Sequence, residues 1–159
     1  MTSENASSDA GHASPEAQRV AELCAQALFA GDEASRSLGM RVEEVKPGFA
    51  RLRMMVRGDM VNGHGICHGG IVFALADSAF AVACNTYNAV TVAAAASIDF
   101  LASPRVSDEL TAEARELWRS KRSGIYEISV RNQRGEPIAL FRGRSHCTGG
   151  EIVPVVHGR

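Results

Sequence analysis

The stretch from Cys67 to Cys84 (CHGGIVFALADSAFAVAC) constrains the fold more than any other part of the chain. It is almost wholly apolar and rich in alanine and leucine, which favour helix. It is too long for an ordinary strand and too short to span a bilayer. A helix that is apolar on every side is expected to be buried on every side. The sequence therefore predicts a central helix that the rest of the domain surrounds.

One carboxylate, Asp77, lies in the middle of this stretch. Burying an ionised and unpaired carboxylate costs roughly several kcal/mol, so such a group is either satisfied by partners or kept for chemistry. Its buried setting favours the chemical interpretation. A structural role, in which Asp77 is bonded to backbone N–H groups or to an arginine, stays open beside it.

Composition indicates an ordinary globular domain. The chain has 159 residues, of which 45% are hydrophobic, and a formal net charge of -1. These values fit one domain with a real core and give no indication of a nucleic-acid or membrane partner. The four cysteines have no C-x-x-C spacing, so we expect free thiols and no metal. The N-terminal residues lack the pattern of a signal peptide, so we expect a cytoplasmic protein.

The remaining chain predicts a further helix and a set of strands. We expect a disordered leader over residues 1–14, and Ser14-Pro15-Glu16 predicts the start of a helix that ends at Gly31, where Asp32 caps a second short turn. Alternating patterns predict strands, of which 110–118 also has helix-favouring residues and is assigned from its neighbours. The predicted strands are 40–45, 49–54, 90–101, 110–118, 125–130 and 137–147.

The order of these elements predicts an α+β fold. One apolar helix followed by a strand meander is typical of an antiparallel sheet that curls around the helix. The glycines at 149–150 begin a tail, which we expect to be loose over residues 151–159.

Two glycines, Gly69 and Gly70, mark the expected N-terminal end of the central helix. Unpaired N–H groups there carry a partial positive charge of roughly half a unit, and glycine lets a ligand approach the backbone closely. Such a place suits a carbonyl oxygen that becomes an oxyanion during acyl transfer, with Asp77 as nucleophile or as the base that activates water. A plain turn is the simpler interpretation of the glycine pair.

Distance argues that one chain does not complete such a site. Asp77 lies eight residues beyond Gly69, which is about 12 Å along a helix, whereas reacting groups must lie within about 3.5 Å of the same carbon. Two such helices packed antiparallel across a two-fold axis bring each N-terminus to the middle of its partner. The small residues Ala74, Ala79, Ala81 and Ala83 suit a close approach. The sequence thus predicts a homodimer with two shared sites.

Two polar residues before the helix are further candidates. His68 is a candidate general base, although a histidine at this position more typically orients its surroundings by hydrogen bonding. Asn62 either holds a carbonyl or water or caps its own loop. His64 is interpreted as a loop histidine, because a metal site formed by His64, Cys67 and His68 matches no usual zinc spacing.

Basic residues late in the chain are candidates for binding a phosphate. Lys121, Arg122, Arg142 and Arg144 are charges of a kind that usually faces solvent, but beside the mouth of a site they would hold an anionic group. The expected substrate-binding residues are Gly70, Arg122, Gly124 and Arg144.

A series of short segments resembles the hotdog-fold acyl-CoA thioesterases of the phenylacetic-acid-degradation (PaaI) type. The likeness spans roughly residues 38–150, which is nearly the whole domain. The segments are 62–70 (NGHGICHGG), 75–77 (LAD), 83–85 (ACN), 98–101 (IDFL) and 139–143 (ALFRG).

The resemblance implies a hotdog fold over residues 15–150, with a curved antiparallel sheet around one long central helix. It implies a catalytic dimer, usually paired into a tetramer, that hydrolyses phenylacetyl-CoA or ring-hydroxylated relatives to the free acid and CoA. No metal or organic cofactor is expected, since CoA belongs to the substrate. The family's roles carry over onto Gly69, which polarises the thioester carbonyl, Asp77 of the partner subunit as nucleophile or base, and Asn62 and His68 in support.

One departure from the family pattern concerns the strand after the helix. Related thioesterases often carry a serine or threonine there that holds the attacking water. The nearest positions here, Ala93 to Ala96, are all alanine, and Thr91 or Ser97 supplies a hydroxyl only if the register differs. The choice between a nucleophilic and a general-base role for Asp77 stays open at this point.

Two other functions stay open as alternatives. A hotdog hydratase or dehydratase needs a His/acid pair acting on a β-hydroxyacyl chain, and the lack of a well-placed histidine disfavours it. In a non-catalytic acyl-CoA-binding module Asp77 is structural, but the sequence offers no DNA-binding segment for a sensor of this kind.

Overall fold

One long helix packs against a sheet of six strands. The computed structural model describes residues 13–154 of the chain. Its elements are α1 (Pro15–Ala30), α2 (Glu33–Ser37), β1 (Arg41–Lys46), β2 (Phe49–Met55), α3 (Gly69–Cys84), β3 (Thr91–Phe100), β4 (Glu109–Arg119), β5 (Ser123–Arg131) and β6 (Pro137–Cys147), with a 3₁₀ turn at Gly58–Met60.

The strands are antiparallel to their neighbours and follow the order β1-β2-β4-β5-β6-β3. The meander that the sequence predicts after the helix would place β3 beside β4. In the structure β3 lies beside β6 instead, so this part of the sequence prediction is wrong. The chain leaves β2, crosses the sheet as α3, and returns as β3 at the far edge, where β3 pairs with β6. The strand that follows the central helix therefore has one free edge.

The apolar residues of α3 form the centre of the core. The helix packs against the inward faces of the strands, and its fully buried residues are Val72, Leu75, Ala76, Ala79, Phe80, Val82, Ala83 and Cys84. Burying apolar side chains contributes roughly 25 cal/mol per Å², so this helix organises the hydrophobic core. The central helix is thus confirmed where the sequence predicts it.

The expectation that α3 is buried on every side is wrong for one stripe of the helix. Gly70, Ala74, Asp77 and Ala81 recur at spacings of three and four residues, so they share a face, and each is half-buried or exposed. The sheet covers one side of α3, and α1 and α2 make smaller contacts with it. A face with small residues and one carboxylate is left incompletely covered. Ala79 and Ala83, which the sequence analysis also assigned to a close approach, are instead buried in the core.

The helix ends follow local rules. Ser14 caps α1 by accepting the N–H of Ala17, and Gly31 ends that helix. Asp32 caps α2 by accepting the N–H of Ser35 at 2.9 Å. These caps lie where the sequence predicts them.

The termini of the chain are only partly described. Apart from Ala13 and Ser14, the predicted leader lies outside the described residues. In the predicted loose tail, Asn88 accepts the N–H groups of Ile152 and Val153 at 2.9 Å and donates to the carbonyl of Val153. The beginning of the tail is therefore attached to the domain, while residues 155–159 lie outside the described part.

A close contact in the core gives a test of the packing between α3 and β6. A Cβ added at Gly143 would lie 2.8 Å from the ring of Phe80, which is fully buried. Gly143→Ala is therefore expected to lower the free energy of unfolding by about 1–3 kcal/mol, as measured by chemical denaturation. Gly58→Ala is the control, because nothing lies within 4 Å of its added Cβ. Equal losses in the two variants would contradict this packing.

Candidate functional site

The N-terminal end of α3 carries one free backbone donor. His68 is the N-cap, and its Nδ1 accepts the N–H of Gly70 at 2.9 Å. The N–H groups of Ile71 and Val72 bond to the carbonyl of His68. Within residues 13–154 the N–H of Gly69 has no acceptor. The helix thus presents the Gly69 N–H, with its partial positive charge, to whatever lies beyond its end.

The sequence prediction that both glycines offer free N–H groups is therefore wrong for Gly70. Its N–H is engaged by the capping histidine, and an added Cβ at this position would lie 3.1 Å from Nδ1 of His68. Glycine at position 70 leaves room for the imidazole. This contact is that of a residue that orients the helix end, and it uses the Nδ1 lone pair that a general base would need.

Phe100 is a neighbour of Gly69 that the sequence analysis did not single out. An added Cβ at Gly69 would lie 3.2 Å from Cζ of the Phe100 ring. The ring is 54% exposed, although it is a large apolar group. The space in front of the helix end is therefore bounded by an aromatic side chain.

Asp77 lies on the half-covered face of α3, and its carboxylate is unpaired. Within residues 13–154 it accepts no hydrogen bond and forms no ion pair, so the structural role that the sequence left open has no contact to support it. Burial raises the pKa of Asp77, and the nearby negative charge of Asp32 raises this pKa further. A carboxyl with a raised pKa is a stronger base once it is ionised, which suits proton abstraction from water.

The two halves of the predicted site do not meet within one chain. Gly69 and Asp77 both belong to α3, and their separation of eight residues corresponds to about 12 Å. The stripe of Gly70, Ala74 and Asp77 nevertheless continues from the helix end to the carboxylate on one open face.

Asn62 organises the loop that leads into α3. Its Oδ1 accepts the N–H of His64 at 2.9 Å and that of Ile66 at 3.5 Å, and its own N–H bonds to the carbonyl of Ile66. The loop-capping interpretation is confirmed by these contacts. The side-chain NH₂ of Asn62 has no acceptor within residues 13–154, so a donor is left for a ligand.

The hydroxyls considered for holding the attacking water are not placed for it. Thr91 donates to the carbonyl of Ala89 at 2.8 Å. Ser97 is opposite Arg142 in the register of β3 and β6, whereas Ile98 is opposite the buried Phe141. Because successive residues of a strand face opposite sides, Ser97 lies on the sheet face away from α3.

A hydroxyl on α3 itself is a further feature that the sequence analysis missed. Ser78 follows Asp77, and its Oγ lies 2.7 Å from Oγ of Ser35 on α2. Ser35 is in turn bonded to the carboxylate of Asp32. No local pattern links positions so far apart in the chain, so only the folded structure reveals this connection.

The predicted basic residues line two grooves, one beside the turn between β4 and β5 and one across β3, β5 and β6. Arg122 and Lys121 border a groove of about 370 Å³ together with His146, whereas Arg142 and Arg144 border one of about 230 Å³. None of these arginines or Lys121 forms an ion pair within residues 13–154. Their charges are available to an anionic ligand.

Gly124 has a packing role in the structure. It is buried in β5, and an added Cβ would lie 2.7 Å from Cε2 of Tyr126 and 3.0 Å from Oγ of Ser145. The sheet therefore requires glycine here for its own packing, independently of any ligand.

The described residues contain neither a membrane helix nor a metal cluster. Among residues 13–154 no helix combines the length and apolar character that crossing a bilayer requires. In the same part of the chain no three His, Cys, Asp or Glu side chains gather in a metal-binding arrangement.

Comparisons with known proteins agree with this geometry. The sequence model of the thioesterase superfamily matches residues 64–139. The chain is 44% identical to the acyl-coenzyme A thioesterase PaaI of Escherichia coli (strain K12) over 128 residues, which cover 80% of this chain and 91% of that protein.

Solved structures show the same similarity. The structure of the E. coli PaaI protein from the phenylacetic acid degradation operon matches with a TM-score of 0.83 and 42% identity, covering 84% of this chain and 97% of that chain. A mutant of the phenylacetic acid degradation protein PaaI from Thermus thermophilus matches with a TM-score of 0.69 and 35% identity, over 71% of this chain and 96% of that chain.

The unpaired carboxylate predicts that Asp77→Asn raises the melting temperature at neutral pH. Since burial raises the pKa of Asp77, the folded protein holds this proton more tightly than the unfolded chain, whose aspartate pKa is about 3.9. Ionisation then costs folding free energy as the pH rises through the folded pKa, and below both pKa values this cost disappears. The variant's gain in Tm, measured by calorimetry across a pH series, is therefore expected to grow from acid to neutral pH.

Asp108→Asn is the control of opposite sign. The N–H of Arg105 and the side chains of Gln133 and Arg134 bond to this carboxylate and lower its pKa. Its removal is expected to lower Tm at neutral pH, with a difference that fades as the pH falls. A loss of Tm at neutral pH in Asp77→Asn would show that the carboxylate has stabilising partners.

Proposed function

Because the chain belongs to the thioesterase superfamily, and within it to the acyl-CoA thioesterases of the PaaI type, we propose that it hydrolyses aryl- or (hydroxy)phenylacetyl-CoA to the free acid and CoA. The membership itself confirms the expected hotdog fold and makes the chain a thioester hydrolase. The choice of acyl group is supported by the phenylacetic acid degradation operon of the E. coli relative. The aromatic ring of Phe100 beside Gly69 also supports it, because aromatic rings pack favourably on one another.

The observation that carries the proposed mechanism is the combination of a free Gly69 N–H and an unpaired Asp77 on one open helix face. In our proposal the N–H binds the thioester oxygen, on which negative charge develops in the tetrahedral transition state. Losing such a donor typically costs about 10²–10³ in kcat. His68 supports this donor by capping the helix, and the free NH₂ of Asn62 holds a carbonyl or water.

Asp77 acts as nucleophile or as general base in this proposal. As nucleophile it forms an anhydride with the acyl group and expels the CoA thiolate, and water then hydrolyses the anhydride. As base it takes a proton from water, whose oxygen attacks the acyl carbon directly. Turnover in heavy-oxygen water tests the nucleophilic route: attack of water on the Asp77 side of the anhydride places label in that carboxylate, whereas the base route places label only in the released acid.

We propose that a second copy of the chain completes the site. Two uncovered surfaces support a homodimer: the face of α3 with Gly70, Ala74 and Asp77, and the free edge of β3, whose residues are all half-buried or exposed. An unprotected edge strand is a template for pairing with another chain. Antiparallel packing of two α3 helices brings Gly69 of one copy to Asp77 of the partner subunit, and we expect two such dimers to form a tetramer.

The grooves that contain Arg122 and Arg144 are proposed to bind the phosphates of CoA. One lies beside the β4–β5 turn and the end of β6, and the other spans β3, β5 and β6. Their arginines carry charges without an ion-pair partner in the described residues. Guanidinium groups bind phosphate through paired hydrogen bonds. We place the enzyme in the cytoplasm, in keeping with its four free cysteines.

The two alternative functions have less support. A dehydratase or hydratase needs a histidine to act with the acid, and Nδ1 of the nearby His68 is engaged with the helix end. A non-catalytic acyl-CoA-binding module does not need an unpaired carboxylate, whose burial costs folding free energy.

The experiment that tests the function is a panel of aryl, arylacetyl, short-chain and long-chain acyl-CoAs with thiol release as the readout. We expect the highest kcat/KM with the arylacetyl esters and a loss of at least about 10³ in kcat for Asp77→Asn. Tightly bound substrate without thiol release by the wild type would favour the binding module. Near-normal turnover by Asp77→Asn would refute the role of this residue.

A shared site predicts that two inactive variants restore each other. Gly69→Pro removes the N–H at the first helical position, which proline tolerates, and Asp77→Asn removes the carboxylate. A mixed dimer of the two has one intact site, so random mixing in equal amounts is expected to restore about a quarter of the wild-type activity.

Gly69→Ala is the control for Gly69→Pro, because it adds a Cβ at the same 3.2 Å from Phe100 but keeps the N–H. It is expected to retain most of the activity that Gly69→Pro loses. Mixing is followed by mass spectrometry to confirm subunit exchange. Exchanged dimers without activity would show that the site does not combine residues from two chains.

A further inference from the structure

A chain of hydrogen bonds connects the segment beside α3 to the residue after Asp77. The carboxylate of Asp32 accepts the N–H of Ser35 at 2.9 Å through Oδ1 and the hydroxyl of Ser35 at 2.6 Å through Oδ2. The Oγ of Ser35 lies 2.7 Å from that of Ser78. Ser35 is only 3% exposed, so this connection lies under the surface, where hydrogen bonds are strengthened by the low dielectric constant.

The direction of these hydrogen bonds follows from the number of protons that each group can donate. An ionised carboxylate only accepts, so Ser35 gives its single hydroxyl proton to Asp32. Its Oγ is then an acceptor, and the proton between Ser35 and Ser78 comes from Ser78. The hydroxyl of Ser78 therefore donates to Ser35 on α2 and not to Asp77.

We propose that Asp32 is a positioning residue of the thioesterase site, which acts by holding a fixed negative charge beside Asp77, with Ser35 and Ser78 attaching this charge to α3. The inference rests on the proposed role of Asp77 as the acid that must be ionised for catalysis. The expected consequence is electrostatic, since a neighbouring negative charge disfavours ionisation of Asp77 and keeps it a stronger base.

Few other ionisable groups face Asp77 from the elements packed on α3. The inward residues of β2 are apolar, as are those of β6 except Ser145. On β4 and β5 the exceptions are Glu116 and Tyr126, whose hydroxyl donates to the Glu116 carboxylate. Cys84 is buried on α3 itself, and Cys24 of α1 contacts Asn88. On α2, Glu33 and Arg36 are exposed and paired with each other. Asp32 is the charge that acts on Asp77 from outside α3.

The test is the pH profile of kcat/KM for Asp32→Asn, measured on the intact protein with the best substrate of the panel. Asparagine keeps the helix cap and remains able to bond to Ser35, so the variant removes the charge while preserving the fold. The repulsion on ionised Asp77 is then lost and its pKa falls. The acid limb of the profile is therefore expected to shift to lower pH, and the shift from wild type is expected to shrink in high salt.

Glu33→Gln is the matched control. It removes one negative charge from the same short helix, but this side chain is exposed and paired with Arg36. Its acid limb is expected to coincide with that of the wild type. Asp32→Ser is a second variant that keeps a capping side chain without a charge, and it is expected to shift the limb as Asp32→Asn does.

Ser78→Ala tests the attachment of α2 to α3. In this variant Asp32 keeps its charge, but the hydrogen bond between Ser35 and Ser78 is lost. We therefore expect the acid limb to shift to lower pH by less than in Asp32→Asn. An unchanged limb in Ser78→Ala overturns the role given to Ser35 and Ser78. The Asp32→Asn variant decides the proposal as a whole. If it folds and turns over substrate but its acid limb of kcat/KM coincides with that of the wild type, the proposal is overturned.

These outcomes are separate from a failure of the proposed function. If the wild type hydrolyses no acyl-CoA, or if Asp77→Asn remains active, the proposed function fails before any profile is compared. The role of Asp32 is then tested directly by NMR titration of the Asp77 carboxyl, where Asp32→Asn is expected to lower the pKa relative to the wild type. An identical titration in both proteins overturns the role of Asp32.

Discussion

The structure depends on an apolar helix that carries one ionisable group on an incompletely covered face. The sheet buries the larger part of α3, and the hydrophobic free energy gained there makes this helix the least replaceable element of the fold. Asp77 lies on the remaining face without a hydrogen-bonding partner in residues 13–154. The same burial that stabilises the helix thus makes its carboxylate costly and basic. The stability of the helix and the raised pKa of Asp77 are two consequences of one placement.

The end of the same helix is arranged to leave one donor free. A helix begins with several N–H groups that lack intrahelical partners, and water or caps usually take them. Here the imidazole of His68 takes the N–H of Gly70, and its carbonyl takes those of Ile71 and Val72, which leaves Gly69 as the donor that faces outward. Both positions have a close neighbour that leaves little room for a Cβ. This neighbour is the ring of Phe100 at Gly69 and the imidazole of His68 at Gly70. The donor is therefore positioned by the surrounding residues before any ligand arrives.

Much of this arrangement could be predicted from the sequence where the determinants are local. The apolar run and its glycines predict α3, and the alternation of apolar and polar residues predicts the strands. Asp32 predicts the N-cap of α2. Each of these patterns involves residues within a few positions of one another. The position of β3 beside β6 could not be predicted in this way, since pairing depends on how the whole sheet closes around the helix. The ring of Phe100 near Gly69 depends on the same distant pairing. Family resemblance identified the chemistry, but it did not reveal that His68 engages Gly70.

The incomplete burial of α3 and the free edge of β3 have a common origin. The chain crosses from β2 to the far edge of the sheet, so β3 has a neighbour on one side only and the sheet covers only one side of the helix. A single copy thereby leaves both its edge strand and the helix face that carries Asp77 uncovered. Each surface costs free energy in water that contact with another protein surface would remove. In the proposed homodimer a second copy covers the helix face while its own helix end supplies the donor that Asp77 lacks, so the topology that leaves one copy uncovered is compatible with a shared site.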